Sequence, residues 1–300
     1  QDSDEIVEEI VVRAESSIAT RLGEAGSASI ISKDEIEEIG ATHANEVLAR
    51  VPGVWVNRGS GQEHLTAIRS AVYTGSGACG EFSFLEDGIP IRPAGFCNVN
   101  NLFELNTEQA EAIEVWRGPA SAVLGGNALH GAINVITPVH KGFSVGLEGG
   151  PYDYYRTQLK GAKDIGEHTI GFSFVGASSG GYRDDTGYGQ QKFHVNHTTG
   201  LAEWNVHTQM TLTNLNQETG GYVRGESSYS DDELRRSNPN PEAYRDAWSM
   251  RVNSEISKDR WSIKPYLRRS SMAFLQHFLP GQPLESNDQG SGGLLVNYGL

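Results

Sequence analysis

Cationic and aromatic side chains gather in one polar stretch of the chain, residues 216–245. They are Arg224, Arg235, Arg236, Tyr222 and Tyr229. Guanidinium groups pair with anions, and both they and aromatic faces stack on rings, so this mixture suits an anionic, ring-bearing ligand. Solvated loop charge is the alternative for each residue taken alone.

Catalytic and metal-binding patterns are missing from the sequence. Cys79 and Cys97 are the only cysteines, and two thiolates without a nearby His or Met do not make up a metal site. We also find no phosphate-binding loop, nucleophile elbow, zinc motif or catalytic pair of carboxylates. We therefore expect neither an enzyme nor a resident cofactor.

Composition narrows the class of protein further. No run of about 18 apolar residues could form a transmembrane helix, and the formal net charge of −14 argues against nucleic acid as a partner. The start at Gln1 without Met is expected of a mature, secreted protein. Residues 1–140 carry a net charge of −12 and 7 aromatic residues, whereas residues 141–300 carry −2 and 19. This change predicts a domain boundary near Pro138.

The second part alternates between apolar and polar residues, which predicts strands with two different faces. The clearest segments are 143–148, 170–174, 204–212, 248–253 and 261–264, and weaker ones are 157–162, 193–198 and 294–300. The pattern predicts an antiparallel meander of about eight strands.

The predicted connections alternate in length. The short ones are 163–167, 199–202 and 257–260, and the long ones are 178–187, 216–245 and 275–290. Outer-membrane barrels have this asymmetry, and their aromatic girdles would account for Trp204, Trp248 and Trp261 at or near strand starts. A soluble β-sandwich is the alternative.

A closed barrel of this length raises a problem of size. Eight strands leave a lumen just wide enough for side chains, so they could not enclose the preceding domain. The chain also ends within a strand pattern, at 296–300. We therefore expect these residues to be the front portion of a longer polypeptide.

The first part predicts a small mixed α/β domain behind an acidic arm. Residues 1–15 hold six carboxylates around the apolar island Ile10–Val12, and repulsion among them predicts a flexible segment. Such an island suits β-strand addition to a partner's sheet, and a frayed terminus is the alternative. Predicted elements follow in order: a helix capped by Ser32 and Glu35, a helix from Thr42 to Val51, and strands at 54–56, 65–68, 82–85, 112–115 and 132–137.

Five motifs occur in a fixed order within residues 8–138. They are Val51-Pro52-Gly53-Val54, Ile68-Arg69-Ser70, Leu85-Glu86-Asp87-Gly88-Ile89-Pro90, Ile113–Ala122 and Asn127–Thr137. Together they closely resemble the plug domain of TonB-dependent outer-membrane receptors. Ser70 stands where that family usually has Gly.

The resemblance implies a fold and a mechanism. The fold is a membrane β-barrel of about 22 strands, of which only the first eight or so are present, with an N-terminal mixed α/β plug. The domains are a flexible arm at 1–15, the plug at 16–138 and the first part of the barrel at 139–300. In the family, periplasmic TonB, working with ExbB and ExbD, pulls on a short box, which here matches Glu9, Ile10, Val11, Val12, Arg13 and Ala14.

The resemblance also assigns roles to single residues. Arg69 and Arg117 match two plug arginines that pair with barrel glutamates, which we expect beyond residue 300. In an oxidising periplasm Cys79 and Cys97 are expected to form a disulfide that ties loops at the plug apex. The candidate ligand contacts are Tyr73, Phe82, Arg92, Phe96, Asn98, Asn100, Tyr229, Arg235, Arg236 and His277.

The expected function is active import of a scarce nutrient across the bacterial outer membrane, with outer-membrane lipid around the barrel. A ferric siderophore is the first choice, because iron chelates are the commonest ligands of the family. Cobalamin, haem, copper or oligosaccharide import are the alternatives within that class. A secreted β-sandwich that serves in binding or adhesion is the alternative from another class.

Overall fold

A computed structural model describes residues 27–72, 79–93, 100–119, 127–139 and 141–299. The chain divides into two compact units. The first comprises Gln1–Asn57, Leu65–Asn101 and Thr107–Thr137, and the second comprises Arg58–His64, Leu102–Asn106 and Pro138–Leu300. Two short segments from the first half of the chain thus belong to the second unit. The predicted arm at 1–15 lies outside the described residues.

The first half of the chain contains the following elements. They are β1 (Ala28–Ser32), α1 (Lys33–Ile39), α2 (Ala44–Leu48), β2 (Val54–Arg58), β3 (His64–Ile68), β4 (Phe82–Glu86), β5 (Ile89–Pro90), a 3-10 turn at Leu102–Glu104, β6 (Ala112–Arg117) and β7 (Gly131–Ile136). One sheet has the order β1-β6-β7-β4-β5, and β2 pairs with β3. The β4–β7 pair is parallel. A mixed α/β domain was predicted, and both helices and all five predicted strands are present.

Helix α1 begins at the predicted capping box. The Ser32 amide donates to Glu35 Oε2 at 2.8 Å, and the Glu35 amide donates to Ser32 Oγ at 3.4 Å. These bonds satisfy amides that the first turn leaves without a helical partner. Helix α2 is capped by His43, one residue after the predicted start, because His43 Nδ1 accepts from the Asn45 amide at 3.1 Å.

The core of the first unit surrounds β4, which is buried over its whole length. Phe82 and Phe84 are each 1% exposed, and their ring centroids lie 5.3 Å apart. Two buried polar residues pair within the sheet, since Asn134 Nδ2 donates to Glu114 Oε2 at 2.8 Å. A buried carboxylate is tolerated in this sheet because it has such a partner.

The second unit is built on one antiparallel sheet of eight strands in sequence order. They are β8 (Phe143–Gly150), β9 (Tyr154–Ile165), β10 (His168–Ser179), β11 (Tyr188–Leu201), β12 (Trp204–Glu218), β13 (Tyr244–Lys258), β14 (Trp261–Leu275) and β15 (Leu284–Tyr298). The sheet is open, with β8 and β15 at its edges. This is the predicted meander, although most strands extend well beyond the alternating segments.

Most connections follow the predicted asymmetry, and the exception is 151–153, a three-residue turn between β8 and β9 at the end that carries the long loops. Residues 166–167, 202–203 and 259–260 form the turns at one end, and residues 180–187, 219–243 and 276–283 form the loops at the other. The prediction that 275–290 is a loop was wrong in part, because β15 already begins at Leu284. Backbone pairing with β14 holds its polar first half as a strand.

The two faces of this sheet differ. We call the face that carries the buried side chains the inner face, and its residues on β11 include Gln190, Lys192 and His194. The opposite face is apolar near the short turns, where Leu267 is 65% exposed. Near the long loops it is polar, and Arg269 Nη2 lies 3.1 Å from Asp288 Oδ2. This face therefore changes character along the strands.

The three tryptophans predicted for aromatic girdles share the opposite face. Trp204 and Trp261 are the first residues of β12 and β14, at the short-turn end. Trp248 lies within β13, where the apolar and polar halves meet, and it is 41% exposed. Their placement at the two borders of an apolar band matches the girdles of outer-membrane barrels.

Candidate functional site

Three side chains from the inner face of the eight-stranded sheet, which we call the wall, bind the segment Leu102–Asn106 within the second unit. Gln190 Nε2 donates to the Phe103 carbonyl at 3.2 Å. Arg251 Nη2 donates to the Glu104 carbonyl at 2.7 Å, and Lys192 Nζ donates to the Leu105 carbonyl at 2.7 Å. Three successive carbonyls are thus bound by side chains from β11 and β13.

Apolar packing supports the same segment. Phe103 forms a buried cluster with four residues of the inner face, namely Leu215, Ala247, Met272 and Phe274. The Leu105 amide closes the 3-10 turn by donating to the Leu102 carbonyl at 3.0 Å. The turn therefore presents a hydrophobic ring and a row of carbonyls to one patch of wall.

The second short segment, Arg58–His64, lies on strands β11 to β13 of the same unit. The Gln62 amide donates to Gln217 Oε1 at 2.9 Å, and Arg245 Nη2 lies 3.9 Å from Glu63 Oε1. Burial raises the pKa of the Glu63 carboxyl, and the charge of Arg245 opposes this rise. At Gly61, with φ +57, an added Cβ would lie 2.9 Å from Gln217 Oε1.

His64 links the two short segments. Its Nε2 accepts from the Leu102 amide at 3.0 Å, and its Nδ1 lies 3.0 Å from the Gln62 carbonyl. A ring that accepts through Nε2 carries its proton on Nδ1, so Nδ1 donates to Gln62. The two segments thus form one hydrogen-bonded group on the inner face.

The two predicted plug arginines lie side by side in the first unit. Arg69 Nη1 donates to the Arg117 carbonyl at 3.3 Å, and Arg117 Nη1 donates to the Pro52 carbonyl at 2.9 Å. Gly53 packs against both side chains, since an added Cβ would lie 3.2 Å from Arg69 Cγ and 3.8 Å from Arg117 Cδ. Their bonds to residues that the structure describes are to neutral oxygens, so pairing with barrel glutamates stays a prediction.

The long loops of the second unit contact one another. The Asp184 amide donates to the Arg236 carbonyl at 2.8 Å, and Arg183 Nε donates to the Ser237 carbonyl at 2.9 Å. The Arg236 guanidinium also lies over the Tyr182 ring, 5.9 Å from its centroid. The loop 180–187 and the loop 219–243 thus form a joined surface that carries cationic, aromatic and acidic side chains, with Arg235 paired to Asp232.

His277 lies near this surface, in the loop 276–283. Its Nδ1 is 3.4 Å from Thr219 Oγ1, and its ring meets Phe278 edge-on at 5.6 Å. Burial lowers its pKa, the bond with Leu275 opposes this, and the charges of Arg245 and Arg183 add to the lowering. Burial also lowers the pKa of Arg183, but a guanidinium stays charged at neutral pH.

The predicted ligand contacts fall into three groups. Tyr229 is 78% exposed, Arg235 and Arg236 lie with it in the joined loops, and His277 lies in the neighbouring loop 276–283. Phe82 is 1% and Arg92 is 4% exposed, so both are positioned for packing within the plug rather than for direct contact with a ligand. Asn100 is half-buried. Tyr73, Phe96, Asn98, the box Glu9–Ala14 and Cys97 lie outside the described residues, so the predicted disulfide stays a prediction.

Sequence reasoning missed the wall residues Lys192, Arg251 and Gln190. The alternating pattern of β11 and β13 places them on the polar face, but nothing in it shows that a distant segment supplies their carbonyl partners. Glu104 and Leu105 stand about ninety residues earlier in the chain than Lys192. The sequence did offer one signal: Lys192 and Arg251 are charged residues at positions that alternate with the lipid-facing ones, and a buried charge needs a partner.

Metal-binding clusters and membrane-spanning helices were also sought. The residues that the structure describes contain no group of three or more His, Cys, Asp or Glu arranged to hold a metal. Within the same ranges, none of the helices has both the length and the apolar character needed to cross a membrane.

Comparison with known proteins identifies the first half of the chain. Residues 21–132 match the family of the TonB-dependent receptor plug domain. The curated vitamin B12 transporter BtuB of Vibrio vulnificus (strain CMCP6) is 37% identical over 112 residues, which cover 37% of this chain and 17% of that protein. The family consists of receptors and transporters rather than enzymes.

Solved structures match most of the chain. The siderophore receptor PiuA from Acinetobacter baumannii has a TM-score of 0.68 and 19% identity over 89% of this chain and 41% of its own. The ferric citrate transporter FecA has a TM-score of 0.67 and 16% identity over 84% of this chain and 40% of its own. The present chain thus spans less than half of each receptor. Residues 21–132 thus match the plug domain of TonB-dependent receptors, and the chain has the fold of the plug and of part of the β-barrel of such receptors.

Proposed function

We propose that the chain is the front portion of a transporter that imports a scarce nutrient across the outer membrane. The observation that supports this most directly is the attachment of two plug-region segments, Arg58–His64 and Leu102–Asn106, to the inner face of the barrel sheet. The plug region is thus bound to the barrel strands, and passage of a ligand requires a device that displaces the remaining plug residues. Active transport supplies such a device, whereas a passive pore would need none.

The energy for this step comes from TonB, which is energised by ExbB and ExbD. The box Glu9–Ala14 is the segment that TonB grips, and its apolar run Ile10–Val12 suits strand addition to a partner sheet. Arg69 and Arg117 serve to lock the resting plug through glutamates of the remaining barrel. With only part of the barrel present, Arg117 is half-buried and Arg69 is exposed; once the remaining barrel covers them, each charge needs such a partner, since a lone buried charge is costly.

The ligand is a ferric siderophore that binds at the joined loops. Three groups of the second unit carry this assignment: Arg235, Arg236 over the Tyr182 ring, and the exposed Tyr229. Iron chelates of this kind combine negative charge with aromatic or extended polar groups, which such residues recognise. Siderophore and ferric citrate receptors are among the proteins with the same fold.

Cobalamin is the second candidate, because the plug is 37% identical to that of a vitamin B12 transporter. Similarity of the plug indicates a shared way of coupling to TonB more than a shared ligand, because the ligand also contacts the barrel loops. Binding of a ferric siderophore set and of cyanocobalamin to the purified full-length receptor discriminates the two. Saturable cobalamin binding without siderophore binding would replace the first assignment.

The test of the transport proposal is deletion of Glu9–Ala14 in the full-length receptor. Ligand binding should be retained, and uptake should fall to the level of a strain without TonB. Deletion of Gln1–Ile6 shortens the arm by the same length, leaves the box in place and should leave uptake unchanged. Uptake that survives loss of the box would refute the proposal.

A further inference from the structure

The carbonyls of Phe103, Glu104 and Leu105 follow one another at the end of a single helical turn. Carbonyls at such an end have no partner within the helix and carry partial negative charge, so they attract cations. Here two of the three donors are cationic, Arg251 and Lys192, and both donor–acceptor distances are 2.7 Å. The inner face of the barrel sheet thus places positive side chains opposite the partially negative carbonyls of the turn.

Both cations are buried. Lys192 is 2% exposed and Arg251 is 5% exposed. A buried ammonium or guanidinium is costly unless its donors are satisfied, and Arg251 also donates to Ser249 Oγ at 3.0 Å. If the turn left the wall, both cations would lose carbonyl partners at once. Detachment therefore costs more than the loss of the Phe103 packing alone.

The segment Arg58–His64 shares this attachment through His64, whose Nε2 binds the Leu102 amide. Arg245 adds a third cation that faces the plug region, 3.9 Å from Glu63, and it lies 4.0 Å from the centroid of Phe274. Both segments thus join the barrel strands in one compact unit, separate from the remaining plug residues.

We propose that Lys192 and Arg251 are positioning residues that keep Leu102–Asn106 on the barrel wall throughout transport, as a fixed anchor from which the rest of the plug moves. This inference rests on the proposed function. It divides the plug into a part that TonB displaces and a part that remains with the barrel.

Hydrogen exchange of the full-length receptor tests the attachment. A peptide covering residues 100–107 should exchange as slowly as the barrel strands. Lys192→Met should speed its exchange about ten- to hundred-fold, the range expected for loss of a hydrogen bond from a charged donor. Lys192→Arg should restore protection, because a guanidinium can donate to the same carbonyl.

The control for this test is Lys264→Met. Lys264 also lies on the inner face of a strand, but its ammonium lies 2.9 Å from Glu255 Oε2 within the same sheet. The Lys264→Met substitution therefore removes an inner-face lysine charge but keeps the Lys192 ammonium that donates to the Leu105 carbonyl. Equal exchange of residues 100–107 in the wild type and in Lys192→Met would overturn the attachment.

A covalent link tests whether the anchor stays in place during transport. Phe103 is replaced by the photo-crosslinker p-benzoylphenylalanine, which should react with Met272 of the same cluster on illumination. The linked receptor should bind a ferric siderophore and take it up within about two-fold of the rate before illumination, the effect expected of a near-neutral change. Loss of uptake with retained ligand binding would overturn the anchor.

The two proposals fail in different ways. If uptake before illumination does not need the box Glu9–Ala14, the transport proposal fails, whatever the link does. If box-dependent uptake is present and the link abolishes it, the transport proposal stands and the anchor fails. If the link forms and box-dependent uptake continues, both are supported.

Discussion

Gly131 allows a direct test of how tightly the plug sheet is packed. It begins β7, opposite Phe82 of the parallel strand β4, with φ +153. In Gly131→Ala the new methyl carbon would lie 2.2 Å from the Trp116 backbone oxygen and 2.8 Å from Ile68 Cγ2. Both distances are far below the separation of about 3.5 Å at which such atoms attract.

Two costs add in this variant. An L-residue with positive φ costs about 1–2 kcal/mol, and forcing extra volume into a packed site costs about 1–3 kcal/mol. We therefore expect Gly131→Ala to destabilise the plug by about 2–5 kcal/mol. The clash is with backbone as well as side chain, so rotation of a side chain cannot relieve it.

Gly118→Ala is the matched control. Gly118 has φ +106, and an added Cβ there meets no atom of the described residues within 4 Å. This variant keeps the conformational cost of about 1–2 kcal/mol and lacks the clash. The difference between the two variants isolates the packing contribution.

Pulse proteolysis of the full-length receptor in urea measures both variants. Cleavage of the plug is followed on a gel while the barrel remains intact. The packing difference of about 1–3 kcal/mol, with a urea dependence of about 1–3 kcal/mol per molar, should place the midpoint of Gly131→Ala about 0.3–3 M below that of Gly118→Ala. Equal midpoints would refute the packing argument.

Three other predictions concern single groups. Ser32→Ala should destabilise the plug by about 1 kcal/mol. The hydrogen bonds from Ser32 lower the pKa of the Glu35 carboxyl below its ordinary value of 4.5, so the stabilisation by the capping box should be lost as the pH falls from 4.5 through that lowered pKa. The same urea assay, repeated at several pH values, measures this loss. Maleimide labelling should find Cys79 and Cys97 unreactive until reduction, and reduction should cost about 3 kcal/mol of plug stability for a loop of this length; labelling of both before reduction would contradict the bridge. Because burial lowers the pKa of His277, protonation should destabilise its loop as pH falls below about 6.5. The protection factors of residues 275–284, which correct for the slower intrinsic exchange at acid pH, should therefore fall with pH in the wild type but not in His277→Gln.

The barrel strands were predictable because apolar and polar residues alternate along them. Apolar and polar side chains alternate in β12 and β13 where one face is covered and the other meets lipid. The first half of β15 lacks that signal, since Glu285–Gly290 is polar on both faces. Its strand conformation comes from pairing with β14, which is a property of the neighbour and not of the segment itself.

Strand β1 shows the same limit in the plug. Its sequence Ala-Ser-Ile-Ile-Ser does not alternate, and the backbone becomes a strand by pairing with β6. The capping box of α1 could be recognised because Ser32 and Glu35 interact across three residues. Local chemistry was therefore predictable, whereas contacts between distant segments, including those of Lys192 and Arg251, were not.

The length of the strands has a consequence for the cell surface. Strands β12 to β15 each contain 15 residues, which at about 3.4 Å per residue and a tilt of about 40° rise roughly 39 Å. The apolar band of an outer-membrane barrel is about 25 Å tall, so roughly 14 Å of wall stands clear of the hydrocarbon. The Asn216–Asp246 hydrogen bond, on the long-loop side of Trp248, lies on that collar, so polar side chains rather than apolar ones cover the wall above the membrane.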